Sequence, residues 1–315
     1  MPSKPTLVTY WNNQKKSPTI SILRRLLAAE IYPALGISGW RRIFAPLFWL
    51  PFHLFAKLGW EFDQRVCEDG FRGASAWVLS HFGQEISLDQ NRAIPAHGPL
   101  LIAANHPGTV DALAIATQLP RDDLKVVADP IPFLAALPHT AQHMIFTDRK
   151  DASARMTTIR KALRHLKAGG ALLIFPSGHL DPDPAIFPEA VNYLDDWSRS
   201  LEFFLRRAPE TSLQLAILSG VLSPKFGRAW IIRRGQDVIA RHRIAEILQI
   251  IYQLLFPRRL LVSPKISLAS PQTMDALLAR GQENIDLLAA IIAAAKELFQ
   301  QHAQTHGLPL QSARK

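Results

Sequence analysis

A histidine and an aspartate five positions apart are the side chains in this sequence best suited to chemistry. His106 and Asp111 both lie in the stretch NHPGTVD, residues 105–111. An imidazole titrates near neutral pH and can remove a proton from a hydroxyl group, while a carboxylate can orient the ring by accepting a hydrogen bond. In a continuous α-helix five residues turn through about 500°, so the two side chains would point about 140° apart. We therefore expect His106 in a loop and Asp111 in the helix that follows.

The residues around the pair supply such a loop. A short apolar run over 100–104 predicts a strand that ends just before it, and Pro107 and Gly108 permit a sharp turn. Thr109 is a candidate N-cap, which places Asp111 in the first helical turn, where free backbone N–H groups favour a carboxylate. In this geometry Asp111 would accept a hydrogen bond from one ring nitrogen of His106 and leave the other as a base.

The wider pattern predicts the elements that position the pair. Short apolar runs predict strands over 100–104, 124–128, 143–147, 171–175 and 213–219. Helical spacing of apolar residues predicts helices over 110–118, 152–167 and 194–207, and later over 238–256 and about 271–302. This alternation predicts an α/β fold with a mainly parallel central sheet flanked by helices, and ligands bind beyond the carboxyl ends of such strands.

Composition divides the chain into three expected regions: a basic, aromatic-rich helical membrane-interface region (1–90), an α/β catalytic core (91–235) and a C-terminal helical region (236–315). Residues 1–60 contain eight Lys or Arg and one acidic residue, Glu30. Cations and aromatic rings suit an anionic membrane surface, although a solvated basic face beside a core helix has the same composition. Residues 44–58 are apolar but shorter than the roughly 20 residues of a span, and prolines interrupt them. We expect them at the interface.

The net charge of the chain indicates which classes of partner to expect. The net charge of +10 and the pI of about 10.0 favour an anionic partner, such as nucleic acid, acidic lipids or coenzyme A. No nucleic-acid-binding signature is recognisable, so we expect no nucleic-acid partner. No secretory signal is visible, which favours the cytoplasmic side of a membrane. The single cysteine, Cys67, excludes an intramolecular disulfide and is expected to be buried.

Several short motifs, taken in their order along the chain, resemble those of the glycerolipid acyltransferase family, which includes bacterial lysophosphatidic acid acyltransferases. His106 and Asp111 resemble its H-x-x-x-x-D motif, and residues 143–149, HMIFTDR, resemble its F-x-x-R block. Residues 172–180, LLIFPSGHL, resemble its F-P-E-G-T-R-S block, in which Phe175, Pro176 and Gly178 match. Residues 215–219 and Pro224 resemble the last block only loosely. The four blocks have the family's order and spacing over about 98–224.

The resemblance implies a chemistry and a set of site residues. It implies acyl-CoA or acyl carrier protein as co-substrate, a hydroxyl lipid as acceptor, and no metal or other cofactor. His106 and Asp111 would be catalytic, and Arg149 would match the arginine that helps to hold the acceptor's phosphate. The implied substrate-binding residues are Arg149, Phe175, Pro176, Ser177, Gly178 and His179. The acceptor hydroxyl would attack the thioester directly, without a covalent enzyme intermediate.

The third block also departs from the family. Ser177 stands where the family usually has glutamate, His179 where it has threonine, and Leu180 where it has arginine. One expected phosphate ligand is therefore missing, so either the acceptor is less anionic or other arginines replace the contact. A catalytically silent lipid- or acyl-carrier-binding protein on the same fold is the alternative.

Two other sites are conceivable in the same segment. Ser177 lacks the G-x-S-x-G elbow of a serine nucleophile. Residues 179–183, HLDPD, contain possible metal ligands, but the prolines and aspartates are more typical of a solvated turn.

Overall fold

A computed structural model describes residues 18–82, 86–89, 94–147, 152–228, 237–279 and 286–309. Within them lies a sheet of seven strands: β1 (Ser87–Asp89), β2 (Leu100–Ala104), β3 (Lys125–Ala128), β4 (Met144–Phe146), β5 (Ala171–Ile174), β6 (Ser212–Ser219) and β7 (Lys265–Leu268). Their order is β1-β7-β6-β2-β5-β3-β4, and every neighbouring pair is parallel except β6 and β7. The predicted α/β fold with a mainly parallel sheet is confirmed.

Helices cover both faces of this sheet. In the described residues they are α1 (Ile20–Ala34), α2 (Arg41–His81), α3 (Asp111–Gln118), α4 (Pro132–Ala135), α5 (Ala152–Lys167), α6 (Ser200–Arg207), α7 (Pro224–Gly227), α8 (Val238–Leu255), α9 (Met274–Ala279) and α10 (Leu287–His306). Single turns of 3₁₀-helix occur at Ser38–Trp40 and Thr140–His143, and a longer 3₁₀ segment at Pro188–Asp196.

The central strand β2 divides the core into two layers. Alternate side chains of a strand point to opposite faces. Leu100 and Ile102 pack in one apolar cluster with α2 and α3, whereas Leu101 and Ala103 pack in another with α5, α6 and α10. All five residues of β2 are buried, which explains its continuous apolar sequence. The loop after β2 is thus anchored at the centre of the sheet.

Two predicted helices are wrong in extent. Of the helix expected over 194–207, only Ser200–Arg207 is α-helical. The N–H of Ser198 donates to the carbonyl of Pro176 instead of to a carbonyl within a helix. The helix expected over about 271–302 is two helices, α9 and α10, and Asp286 just before α10 has an extended backbone. At Ser198 a long-range hydrogen bond overrides the local apolar spacing.

The N-terminal helices form a separate apolar cluster beside α4. Gly70, with φ of 74°, kinks α2, which contains Pro46 and Pro51. In the described part of the chain one stretch, Ile43–His81, is long and apolar enough to cross a membrane, a criterion that core helices also meet. Cys67 is exposed on α2, so its predicted burial is wrong.

The sheet is not confined to residues 91–235. It takes β1 from the region before these residues and β7 from the region after them. The division into three regions remains a prediction.

Candidate active site

His106 lies in the loop between β2 and α3. Its Nδ1 is 2.9 Å from Oδ2 of Asp111, and the N–H of Gly108 donates to the same oxygen at 2.7 Å. The Asp111 side chain is completely buried, whereas 28% of the His106 side chain is exposed. Val110 is the N-cap of α3, without a side-chain cap bond, so the prediction of Thr109 as N-cap is wrong. The structure brings the two predicted side chains together across the strand-to-helix turn.

The hydrogen bonds assign the proton on the imidazole. Oδ2 of Asp111 already accepts the N–H of Gly108, so it serves as an acceptor for Nδ1–H of His106 as well. This assignment leaves a lone pair on Nε2. Burial lowers the pKa of His106, and the negative charge of Glu246 opposes this effect. Burial raises the pKa of Asp111 well above its usual value. Both shifts disfavour an ion pair and favour a neutral imidazole.

Two neighbours restrict the orientation of the ring. Phe175, directly after β5, stacks on the imidazole of His106 with ring centroids 4.1 Å apart and planes 17° apart. The amide of Asn105 donates to the carbonyl of Leu218 and accepts its N–H, which ties the end of β2 to β6. The histidine therefore occupies a defined position at the carboxyl edge of the sheet.

The other predicted residues of the third block form a turn after Phe175. Pro176 is buried, and Gly178 has the left-handed φ of 71° that favours glycine. The hydroxyl of Ser177 donates to the carbonyl of His179, and Nδ1 of His179 is 3.4 Å from Oδ1 of Asp181. Ser177 is thus hydrogen-bonded within its own turn.

Arg149, which matches the family's phosphate-binding arginine, lies outside the described residues. The chain leaves the sheet just before it, where the N–H of Thr147 donates to the carbonyl of Ala128. The end of β4 therefore lies at the same edge of the sheet as His106.

Asp181 and Asp183 are buried anchors, and their prediction as solvated turn residues is wrong. Oδ2 of Asp181 accepts the N–H of His106, and the N–H of Asp181 donates to the carbonyl of His106. Asp183 accepts backbone N–H groups from Ala185, Gly220 and Leu222. Among the described residues no group of three or more His, Cys, Asp or Glu side chains is arranged to hold a metal ion. The two aspartates join the loops after β2, β5 and β6.

Helix α8 supplies contacts that the sequence did not reveal. Glu246 accepts the N–H of Thr109, and Nε2 of His242 donates to the carbonyl of Pro107. A Cβ on Gly108 would lie 2.9 Å from Oε1 of Glu246 and 3.0 Å from Cγ2 of Val221, so a side chain at this position would force these neighbours to move. These partners are more than 130 residues apart in the chain, and no local pattern marks them.

An apolar pocket of about 230 Å³ lies between the N-terminal helices and α8. Its lining includes Phe52 and Phe55 of α2, Ile250 and Ile251 of α8, and Thr109 of the active-site loop. Glu30 also lines the pocket, and burial raises the pKa of its carboxyl group. The pocket therefore places an apolar volume next to the loop that carries His106.

Comparisons with known proteins agree with this site at the level of the family. Residues 85–227 match the family model described as Acyltransferase, and this range contains β2, α3, the His106 loop and the turn after Phe175. The chain thus carries a domain of the acyltransferase family, and the predicted family is confirmed. A search of curated proteins finds no match.

A solved structure is also similar to the chain. The crystal structure of the 1-acyl-sn-glycerophosphate (LPA) acyltransferase PlsC from Thermotoga maritima shares 12% sequence identity, with a TM-score of 0.44. The match covers 94% of this chain and 98% of that one.

Proposed function

We propose that this protein transfers a fatty acyl group from acyl-CoA or acyl carrier protein to the hydroxyl of a lysolipid or related lipid, with His106 as general base and Asp111 as its orienting partner. The observation that carries the proposal is the pair of hydrogen bonds on Oδ2 of Asp111, one from Gly108 and one from His106. They support the proposal because an oxygen that accepts both bonds favours a proton on Nδ1, and the lone pair of Nε2 would then be free to act as the base.

The proposed reaction needs no covalent enzyme intermediate. Nε2 of His106 takes the proton of the acceptor hydroxyl as its oxygen attacks the thioester carbonyl. The tetrahedral intermediate collapses with cleavage of the C–S bond. The leaving thiolate takes the proton from His106, which restores the neutral imidazole and releases the ester and the free thiol.

The charges around His106 support an acceptor without a phosphate monoester. The carboxylates of Glu246, Asp181 and Asp129 are the negative charges that act most strongly on the imidazole. In the third block Leu180 stands where the resembling family has arginine. Close carboxylates repel a dianionic headgroup, so we propose a zwitterionic or neutral acceptor.

The experiment that tests the function is an acceptor screen. Purified protein is incubated with radiolabelled acyl-CoA or acyl carrier protein and with lysophosphatidic acid, zwitterionic lysolipids or neutral hydroxyl lipids. We expect labelled ester with the zwitterionic or neutral class at a higher kcat/KM than with lysophosphatidic acid. Binding of donor without turnover on any acceptor would instead support the catalytically silent alternative.

The apolar pocket is proposed to bind the acyl chain next to the reacting carbonyl. Phenylalanine at Ile251 would fill part of the pocket and exclude methylene groups from it, and each buried methylene contributes about 0.8 kcal/mol, or about fourfold in kcat/KM. We expect Ile251→Phe to lower kcat/KM for a palmitoyl donor much more than for an octanoyl donor. Ile244→Phe is the matched control, because Ile244 lies on the same helix but does not line the pocket. An equal loss for both donors would contradict this assignment.

The N-terminal helices are proposed to bind the cytoplasmic face of a membrane at its interface. An exposed apolar stripe begins at Trp40 and continues along the start of α2; its members are 46–69% exposed and are Trp40, Ile43, Leu47 and Leu50. Apolar and aromatic side chains on one face of a helix suit the boundary of a bilayer. The pocket opens among residues of the same helix, so a lipid substrate would have a short path to it.

We expect Leu47→Asp to weaken sedimentation with vesicles that contain anionic lipid, because the change places a charge in the apolar stripe. Leu278→Asp introduces the same charge at an exposed leucine of α9 and should leave sedimentation unchanged. Equal binding by Leu47→Asp and the unmodified protein would count against this orientation.

A further inference from the structure

Helix α8 presents a row of buried polar side chains, which is unusual for a helix packed inside a protein. His242, Glu246, Gln249 and Gln253 are all buried. At about 100° per residue they lie within an arc of about 60° on one face. Buried polar groups are costly unless they are hydrogen-bonded, so each requires a partner. The hydrogen-bond partners of these side chains show which parts of the chain α8 holds in place.

Three of the four side chains bind backbone groups of the loops at the active site. Nε2 of His242 donates to the carbonyl of Pro107, and Glu246 accepts the N–H of Thr109. Gln249 donates to the carbonyl of Val221 at 2.8 Å and accepts the N–H of Ser223 at 2.7 Å. Gln253 differs, because it donates to the carbonyl of Leu260, away from these loops.

The first two contacts are made on either side of Gly108, the residue that holds Asp111 in place. Pro107 and Thr109 flank Gly108, whose N–H donates to Asp111. Glu246 also lies against the Cα of Gly108, where even a methyl group would contact its carboxylate. The position of the Gly108 N–H, and through it that of Asp111 and His106, thus depends on α8.

We propose that α8, which follows the segment that matches the acyltransferase family, is a positioning element of the active site, and that Glu246 holds the His106 loop and supplies negative charge to the imidazole. This inference rests on the proposed function of His106 as general base. Glu246 lies outside residues 85–227, the range that matches the family, so the inference adds a positioning residue from outside that range.

Electrostatics agrees with the geometry. Burial lowers the pKa of His106, and Glu246 is the charge that opposes this most strongly, followed by Asp181 and Asp129, while His179 adds to the lowering. Asp111 belongs to the same set of interacting groups, because it accepts the hydrogen bond from Nδ1 of His106. Removal of the charge at Glu246 should therefore lower the pKa of His106 further.

The same helix faces the apolar pocket. Ile247, Ile250, Ile251 and Leu254 line it from the side of α8 adjacent to the polar row, and Glu246 contributes to both. An acyl chain in the pocket would therefore contact the helix that holds the catalytic loop. A positioning role for α8 would couple the presence of the chain to the alignment of the base.

Glu246→Gln and Glu246→Ala separate the two parts of the proposal. Glutamine keeps the size and an oxygen acceptor for the N–H of Thr109 but removes the charge, whereas alanine removes both. The pKa of His106 is measured by NMR titration of the histidine Cε1–H groups in the full chain, with His106→Asn used to assign the resonance. Hydrogen exchange of the Thr109 amide is measured in parallel. Neither measurement needs an acceptor, so both test the inference even if the acceptor screen yields no product.

We expect Glu246→Gln to lower the pKa of His106 and to move the acidic limb of the kcat/KM profile to lower pH, with the Thr109 amide still protected. We expect Glu246→Ala to lose that protection and to lower kcat on the order of 100-fold, the scale of a misplaced catalytic group. Gln253→Ala is the control from the same polar row and should change none of these values. An unchanged pKa of His106 in Glu246→Gln, or a protected Thr109 amide in Glu246→Ala, would overturn the proposal.

Discussion

His106→Ala is expected to lower the rate of acyl transfer by about 10²- to 10⁴-fold, the usual contribution of a general base. The imidazole is partly exposed, stacks on Phe175 and donates from Nδ1 to Asp111, so its removal leaves no described group in the same position. The fold should survive, because the core strand β2 ends before this residue. The rate is measured with the acceptor that performs best in the screen, and folding by circular dichroism.

His97→Ala is the matched control for this change. His97 is exposed in the loop before β2, so its removal should leave the rate unchanged. Full activity in a folded His106→Ala protein would exclude the proposed base.

The pH dependence of the unmodified protein follows from the same histidine. The base must be neutral, so kcat/KM falls as the pH drops through the pKa of His106. Burial lowers this pKa, so activity should persist below the usual histidine value of about 6.5. Dependence on a group that titrates above that value would point to another base.

Asp111→Asn is expected to reduce activity by about 10²- to 10⁴-fold, because an amide whose oxygen keeps both hydrogen bonds has no negative charge to stabilise the imidazolium that forms on His106. The expected effect on stability has the opposite sign. Burial raises the pKa of Asp111, so the folded state is penalised for holding a carboxylate at neutral pH. The amide removes this penalty, and the melting temperature at pH 7 should equal or exceed that of the unmodified protein.

The sign of this difference can be followed with pH. A carboxyl group with a raised folded pKa contributes no penalty below its unfolded pKa, so the advantage of Asp111→Asn should disappear in acid. Asp183→Asn is the matched control, because Asp183 is equally buried but accepts three backbone N–H groups. Its amide would leave one N–H without a partner, and the melting temperature should fall. A lower melting temperature for both variants would show that Asp111 also acts as a structural anchor.

Local sequence was sufficient to predict the turn that carries His106. The apolar run at 100–104 is a strand with these bounds, and α5 spans 152–167 as predicted. Both depend on interactions between near neighbours, namely the burial of a short strand and the helical spacing of apolar side chains. The placement of His106 before α3 followed from the same logic, because five helical residues cannot bring two side chains to one face.

Elements that depend on distant partners were not predictable in the same way. The strands β1 and β7 are three and four residues long and carry little periodicity, so their membership of the sheet is decided by pairing with each other and with β6. The predicted extent of the helix over 194–207 was wrong because the N–H of Ser198 donates to the carbonyl of Pro176, which lies in a loop distant in sequence. In each case a long-range backbone hydrogen bond outweighed the local preference.

The sequence by itself determined the pair at the centre of the site, the order of the blocks around it and the mainly parallel sheet that carries them. Only the tertiary structure decided which buried groups hold the pair: Asp181 on the backbone of His106, and Glu246 and His242 on the residues around Gly108. The physical reason is that these side chains bind backbone N–H and carbonyl groups. Every residue except proline offers both groups, so such partners leave no mark in the sequence until the chain has folded.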